Sequence, residues 1–415
     1  MKKLTLVATA VMGLLSTTAA MAQSTVTLYG LLDGGYNHVS GLRQGSVNTI
    51  ASGIMEGSRF GLRGTEDIGG GYKAIFTLEN RFELDTGSVT NRPNSGAQLP
   101  DRLSSAALMG LPGAVQPVLN AVGASIGSTV GVNIAGNLFD RQAFAGLITP
   151  VGAFTFGRQY TPGYLTSATF DATQTQSSLA VGQIATFPPA VDIRLSNTVQ
   201  YGIQMSGVTA TLMYGAGEVA GDNAKGRFYG GMAMYKGAGF SVGVGHNTRN
   251  NELGQKSLTD TVVGATVNVG PGTVYGQYAK IKDDNPTGLS TIAATVTPSV
   301  GAATAALIQN AYINGFKQDA NLMHIGYRVT SGVHTVVVAY NRLDDKRPNN
   351  ADTSSYGATY TYALSKRTNL NAVLTRFNNK GLGQAAPGGN GFLGGVTSSA
   401  GTDSTNIAFG IRHTF

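Results

Sequence analysis

The C-terminal residues alternate in character. Thr405, Ile407, Phe409, Ile411, His413 and Phe415 share one parity; Asn406, Ala408, Gly410, Arg412 and Thr414 share the other. Successive side chains of an extended strand point to opposite faces, so this is a strand with one apolar and one small or polar face. The pattern recurs. Val208, Ala210, Leu212 and Tyr214 oppose Thr209, Thr211 and Met213; Met323, Ile325, Tyr327 and Val329 oppose His324, Gly326 and Arg328. Tyr356, Ala358, Tyr360 and Tyr362 oppose Gly357, Thr359 and Thr361. The pattern predicts 16 strands: 26–39, 54–66, 71–83, 138–148, 153–161, 193–204, 208–217, 227–236, 240–249, 258–269, 273–283, 319–330, 333–344, 354–364, 369–379 and 404–415.

Alternation alone fits a sandwich with its apolar face inward or a membrane barrel with that face outward. Two features favour the barrel. The second face is small and polar and carries Arg, which suits a wet lumen. Connections also alternate in length. Short turns at 205–207, 236–239, 270–272, 331–332 and 366–368 separate long loops rich in Asn, Asp, Gly and Ser. Transmembrane barrels have short periplasmic turns, long outer loops and an even strand number. Tyr29, Tyr201, Tyr214, Tyr235, Tyr340, Tyr362 and Phe415 lie near strand ends, where aromatic girdles belong.

Composition supports this reading. Only 12% of residues are charged, against about 25% in soluble domains. There are 58 Gly and no Cys, so no disulfide holds the fold together. The chain opens with Met1-Lys2-Lys3, an apolar run and Ala20-Met21-Ala22. This is the pattern of a secretory leader over residues 1–22, too short for the roughly 20 apolar residues of a spanning helix. Residues 23–415 then form one domain. Losing Lys2 and Lys3 takes the net charge from +7 to about +5. The remaining cations are scattered, which argues against nucleic acid as a partner. The longest uncharged run, between Arg102 and Asp140, is broken by Pro112 and Pro117. A chain without spanning helices enters lipid only as a closed barrel.

These segments resemble the Gram-negative general-diffusion porin family. The resemblance rests on the ordered set 26–33, 58–67, 71–79, 140–147, 156–160 and 363–368, with terminal Phe415. It spans the whole mature chain. It implies an all-β, 16-stranded antiparallel transmembrane barrel, a homotrimer in outer-membrane lipid. It also implies a third long loop folded into the lumen to form a constriction. Family members line the constriction with basic wall residues and acidic loop residues. The resemblance places the basic set at Arg59, Arg141 and Arg158; Arg63, on the parity of Arg59, and Arg81 are counted with them from the sequence. The loop, from about Thr161 to Asp192, offers only Asp171 and Asp192, fewer acids than the family usually has. Phe415 would serve as the C-terminal assembly signal.

Parity offers a check. Arg59, Gly61 and Arg63 oppose Phe60 and Leu62; Arg141, Ala143 and Ala145 oppose Phe144. A charge facing lipid at mid-depth costs about 2–4 kcal/mol, so these Arg are expected in the lumen, the alternative being a solvated rim. Arg158 shares parity with Phe154 and Phe156, which requires a bulge or a strand-end position. With few loop acids, the lumen is expected to be net positive and modestly anion-preferring. The stretches 97–137 and 286–316 are long, nearly uncharged and rich in Ala, Gly, Thr and Val; the resemblance implies that the second outer loop, here 97–137, latches onto a neighbouring subunit, the alternative being a flexible or short-helical cap.

Catalytic patterns are absent in any useful context. Gly239-Phe240-Ser241-Val242-Gly243 matches a nucleophile elbow but opens an alternating strand. The G-x-G-x-x-G match at Gly389–Gly394 has no strand leading into it and no helix after it. The five His have no metal spacing, and Asp344, Asp345 and Asp352 read as a polar loop rather than a cation site. No cofactor or metal is expected. The function expected is a passive outer-membrane channel for small hydrophilic solutes and ions. A substrate-specific channel is the alternative within transport; a barrel enzyme would need a Ser/His or Asp/His pair that cannot be assembled.

Overall fold

A computed structural model describes residues 24–89, 99–128, 136–184, 191–387 and 395–415. The expected leader and the Gly389–Gly394 match lie outside these residues. One antiparallel sheet contains every strand: β1 (Thr25–Leu42), β2 (Gly45–Ser52), β3 (Arg59–Gly69), β4 (Tyr72–Arg81), β5 (Gln142–Thr149), β6 (Gly152–Tyr160), β7 (Arg194–Met205), β8 (Val208–Gly215), β9 (Phe228–Lys236), β10 (Phe240–Asn250), β11 (Lys256–Val269), β12 (Gly272–Asp283), β13 (Gln318–Ser331), β14 (His334–Asp345), β15 (Thr353–Ala363), β16 (Thr368–Asn379) and β17 (Ser404–Thr414). β1 pairs with β17 over Leu31–Ser40 and closes the sheet. Closure pairs every strand on both sides, the condition for a sheet to cross lipid.

β2 and β3 occupy one position in the barrel. β1 pairs with β3 over Thr25–Leu31 and with β2 from Gly34 onward, so the barrel has 16 strand positions. The alternation predicted one strand from residue 54; instead, residues 53–58 leave the sheet and fold inward. Asp33 holds them there. Its carboxylate accepts hydrogen bonds from the amides of Ile54 (3.0 Å), Met55 (3.0 Å) and Glu56 (2.8 Å). Ile54 and Met55 pack on Val373 and Ala408 inside the barrel.

The apolar parity faces outward. Leu212, Ile325, Phe409 and Ile411 are exposed, whereas their neighbours Thr211, His324 and Ala408 are buried. Tyr214, Tyr235, Tyr340, Tyr362 and Phe415 are exposed with them, and Tyr201 packs on outward-facing Phe154 at 4.8 Å. Tyr29 departs from the girdle expectation: its hydroxyl donates to Glu79 Oε2 (3.1 Å) on the inner wall. Among the described residues, no helix is long and apolar enough to cross a membrane.

Three loops matter for the lumen. The second (82–141) carries α1 (Gln116–Ser128), the third (161–193) carries α2 (Pro162–Thr169), and the sixth (284–317) carries α3 (Ile292–Val300) and α4 (Ala302–Phe316). The second and sixth loops pack on each other within one chain. Leu103, Leu119, Ile308 and Tyr312 form their shared core, and Arg102 Nη1 donates to Gly315 O (2.9 Å). Together they build a helical cap. Glu252, in the 251–255 loop, ties the cap down: its carboxylate accepts from the amides of Gly288 (2.9 Å) and Ser290 (3.2 Å).

The constriction as the candidate functional site

The third loop starts at Thr161, whose hydroxyl caps α2 by accepting from the Tyr164 amide (3.3 Å), with Pro162 at the first helical position. The loop then turns inward and lies along the inner wall of β9–β16. Phe170 is fully buried. It sits over Gly243 and Gly264, cross-strand partners in β10 and β11. A Cβ on Gly264 would stand 2.3 Å from the Phe170 ring, so only glycine admits it. Beyond Phe170, the Ala172 amide donates to His324 Nε2 (2.9 Å), and Val181 and Ile184 pack on Leu258, Ile281 and Phe377. The loop covers this side of the lumen with uncharged groups.

A charged chain lines the opposite wall. Glu79, on β4, is its hub: Oε1 accepts from Arg141 Nε (2.6 Å) and Oε2 lies 3.6 Å from Arg59 Nε. Arg59 also reaches Glu56 in the inward-folded 53–58 segment (3.3 Å), and Arg412 Nη1 pairs with Glu56 Oε2 (2.7 Å). At the other end, the Tyr160 hydroxyl accepts from both Arg141 Nη2 and Arg194 Nη2, each at 2.9 Å. Tyr164 of α2 stacks on Tyr160, with ring centroids 5.1 Å apart, and so joins loop to wall. Four guanidinium groups thus meet two carboxylates.

The residues named from sequence have distinct fates. Arg59 and Arg141 come together at Glu79. Arg63 shares the face of Arg59, stands exposed and lies 5.2 Å from the Tyr29 ring centre. Arg81 pairs across the sheet with Arg59 but is fully buried, its Nε on Glu83 Oε1 (2.8 Å), so it braces the wall rather than lining open water. Arg158 does not join the cluster. It donates to Asp140 O (2.5 Å) and Ser196 Oγ (3.2 Å), and the β6–β7 register slips beside it, between Gly157 and Gln159. The extra residue of that slip lies in β7, and the β5–β6 register runs unbroken through Arg158, so Arg158 keeps the parity of Phe154 and Phe156 and sits near the end of its strand.

Neither loop acid reaches the Arg59–Arg141 cluster. Asp171 is fully buried and accepts from the amides of Thr173 (2.8 Å) and Val181 (3.1 Å) of its own loop. Asp192 pairs with Arg249 (3.1 Å). The parity argument for Arg141 also fails. In β5, Phe144 is the inward residue, paired with Thr77 and buried on Ile75, Ile148 and Ala153. Arg141 precedes β5, outside the alternation, and turns inward because Glu79 draws it. Glu56, Glu79, Tyr160, Tyr164, Arg194 and Arg412 were not singled out as site residues. Only Arg412 had a readable signal, its place on the polar parity of the last strand. Asp344, Asp345 and Asp352 are taken up by Arg342, Lys346 and Arg347.

A closed transmembrane barrel narrowed by an inward loop and lined with fixed charge is a diffusion channel. The Gram-negative porin family model matches residues 8–382, and the chain belongs to that family. Porins are channels, so this chain is a passive outer-membrane channel and not an enzyme. It is 28% identical to outer membrane porin protein 32 of Delftia acidovorans, over 96% of each chain. Its fold is similar to that of an anion-selective porin from Comamonas acidovorans (TM-score 0.68, 23% identity, 95% of this chain and all of that one). It is also similar to the trimer form of OmpT from Vibrio cholerae (TM-score 0.57, 15% identity, 94% of this chain and 99% of that one).

Proposed function

We propose that residues 1–22 are removed on export and that the mature chain, 23–415, assembles as a trimer in outer-membrane lipid and passes small hydrophilic solutes and ions with a modest preference for anions. Arg59 and Arg141 form the centre of the basic wall, Arg63 adds charge toward the periplasmic turns, and Phe415 is the assembly signal. The observation that carries the preference is the imbalance at the constriction: four guanidinium groups to two carboxylates on the wall, with Asp171 and Asp192 both engaged elsewhere. A fixed positive ring raises the local concentration of anions and repels cations. The name of the Comamonas porin, which states anion selectivity, supports the same reading, and the OmpT trimer supports the assembly.

The test is the zero-current potential across a planar bilayer in a KCl gradient. A potential of the sign set by chloride is expected, with conductance inserting in steps of three. A clear potassium-selective potential overturns the proposal.

A further inference from the structure

We propose that Tyr160 is a specificity-determining positioning residue: it holds the Arg194 guanidinium beside that of Arg141 and so sets the charge density of the constriction. This rests on the anion-preferring reading above and deepens it. The two guanidiniums are not held alike. Arg141 has a carboxylate partner, Glu79, at 2.6 Å. Among the described residues, Arg194 makes its side-chain hydrogen bond and ring contact with Tyr160 alone, the hydroxyl at 2.9 Å and the ring centre 4.5 Å from the guanidinium carbon, and Glu79 acts on it only at longer range. Its buried Nε has no hydrogen-bond partner. Arg194 is therefore the least neutralised cation of the cluster and the one whose place depends on a single side chain.

The phenol suits this role. A hydroxyl oxygen has two acceptor sites, and both are filled, one by each Arg. The two Nη2 atoms, each at 2.9 Å from one oxygen, stand no more than about 6 Å apart. That is inside the Debye length of about 10 Å at 0.1 M salt, so passing ions meet them as one doubled charge. Like charges at this range repel, and a shared neutral acceptor holds them together without cancelling either. A carboxylate there would neutralise the pair; an apolar residue would release Arg194. Tyr164, stacked at 5.1 Å and 15°, fixes the ring plane from the third loop.

The test compares reversal potentials of wild type, Tyr160→Phe, Tyr160→Leu and Arg194→Gln in planar bilayers, after each shows the heat-modifiable migration of a folded barrel. Tyr160→Leu is expected to shift the potential toward cations as far as Arg194→Gln does, lowering the anion-to-cation permeability ratio about two-fold. Tyr160→Phe, which keeps the ring face and loses the acceptor, is expected to shift it in the same direction by less. These differences are expected to shrink in 1 M salt, where the Debye length is about 3 Å; a merely structural role would not follow salt. If Arg194→Gln shifts the potential and neither Tyr160 variant does, the proposal is overturned. It is also overturned if Arg194→Gln itself has no effect. If Tyr160→Leu does not fold, Tyr160→Phe decides: a potential equal to wild type refutes the role. The sign of the wild-type potential tests the anion-preferring reading separately, because the proposal concerns the differences between variants and wild type.

Discussion

The docking of the third loop yields a quantitative expectation. Phe170→Ala removes a fully buried ring from the notch formed by Gly243 and Gly264. Emptying such a site costs about 3–5 kcal/mol. The remaining ties near it, such as the Ala172 amide on His324, contribute about 0.5–1.5 kcal/mol each. Phe170 therefore outweighs several of them. A loss of about 3 kcal/mol raises the undocked population of the loop roughly 100-fold, at about 1.4 kcal/mol per factor of ten. The barrel itself, held by continuous pairing around its girth, should still fold. Single-channel recordings should show excess open-state noise and brief current transitions absent from wild type. Gly264→Val attacks the same contact from the wall, because its Cβ would stand 2.3 Å from the ring; such overpacking costs about 1–3 kcal/mol. The double variant should be less perturbed than the two effects added, since the valine fills space the phenylalanine leaves. Quiet, wild-type recordings from Phe170→Ala, or strict additivity in the double variant, would show that the notch does not hold the loop.

Three further outcomes follow from the structure. Glu79→Gln leaves Arg59 and Arg141 without their shared carboxylate; because water reaches the lumen, the cost should fall at or below the about 3–5 kcal/mol of breaking a buried pair, read as a lower melting temperature together with a reversal potential moved further toward anions. Leu119→Ala removes a buried residue of the cap core at about 2–5 kcal/mol, and proteolysis of 99–128 and 289–316 should speed up while the melting temperature of the barrel stays put. The third concerns pH at Glu252. Burial pushes its carboxyl up, and the Gly288 amide, Ser290 and Thr287 more than offset this, leaving it at about 2. A depressed carboxyl stabilises the folded cap above its ordinary pKa, and that contribution is lost as pH falls toward 2. Hydrogen-exchange protection at 287–292, taken relative to the intrinsic amide rate at each pH, should therefore fall between about pH 4.5 and pH 2 in wild type, and show no such step in Glu252→Gln.

Strand positions were legible because period-two alternation is a local property, and lipid outside with water inside enforces it over most of the barrel. The segments from 193 onward match the observed strands to within a few residues. The pattern failed where one side chain overrides the lattice. Nothing around 53–58 announces that Asp33, about 20 residues earlier, will take three amides out of the sheet. Phe144 looks lipid-facing by composition, yet the inner wall of β4–β6 has its own small apolar cluster. The cap was open between two readings because Ala- and Gly-rich sequence does not say what it packs against; the second and sixth loops meet only in space.

Composition and the parity of neighbouring residues were enough for a transmembrane barrel of 16 strand positions and for an acid-poor stretch between Thr161 and Asp192. Which charges meet is set by the fold in space. Glu56, Glu79, Arg141, Arg194 and Arg412 come from separate segments, and closure of β1 on β17 brings the last of them to the first. Their grouping depends on Coulombic attraction between side chains far apart in the chain, and no local pattern encodes that.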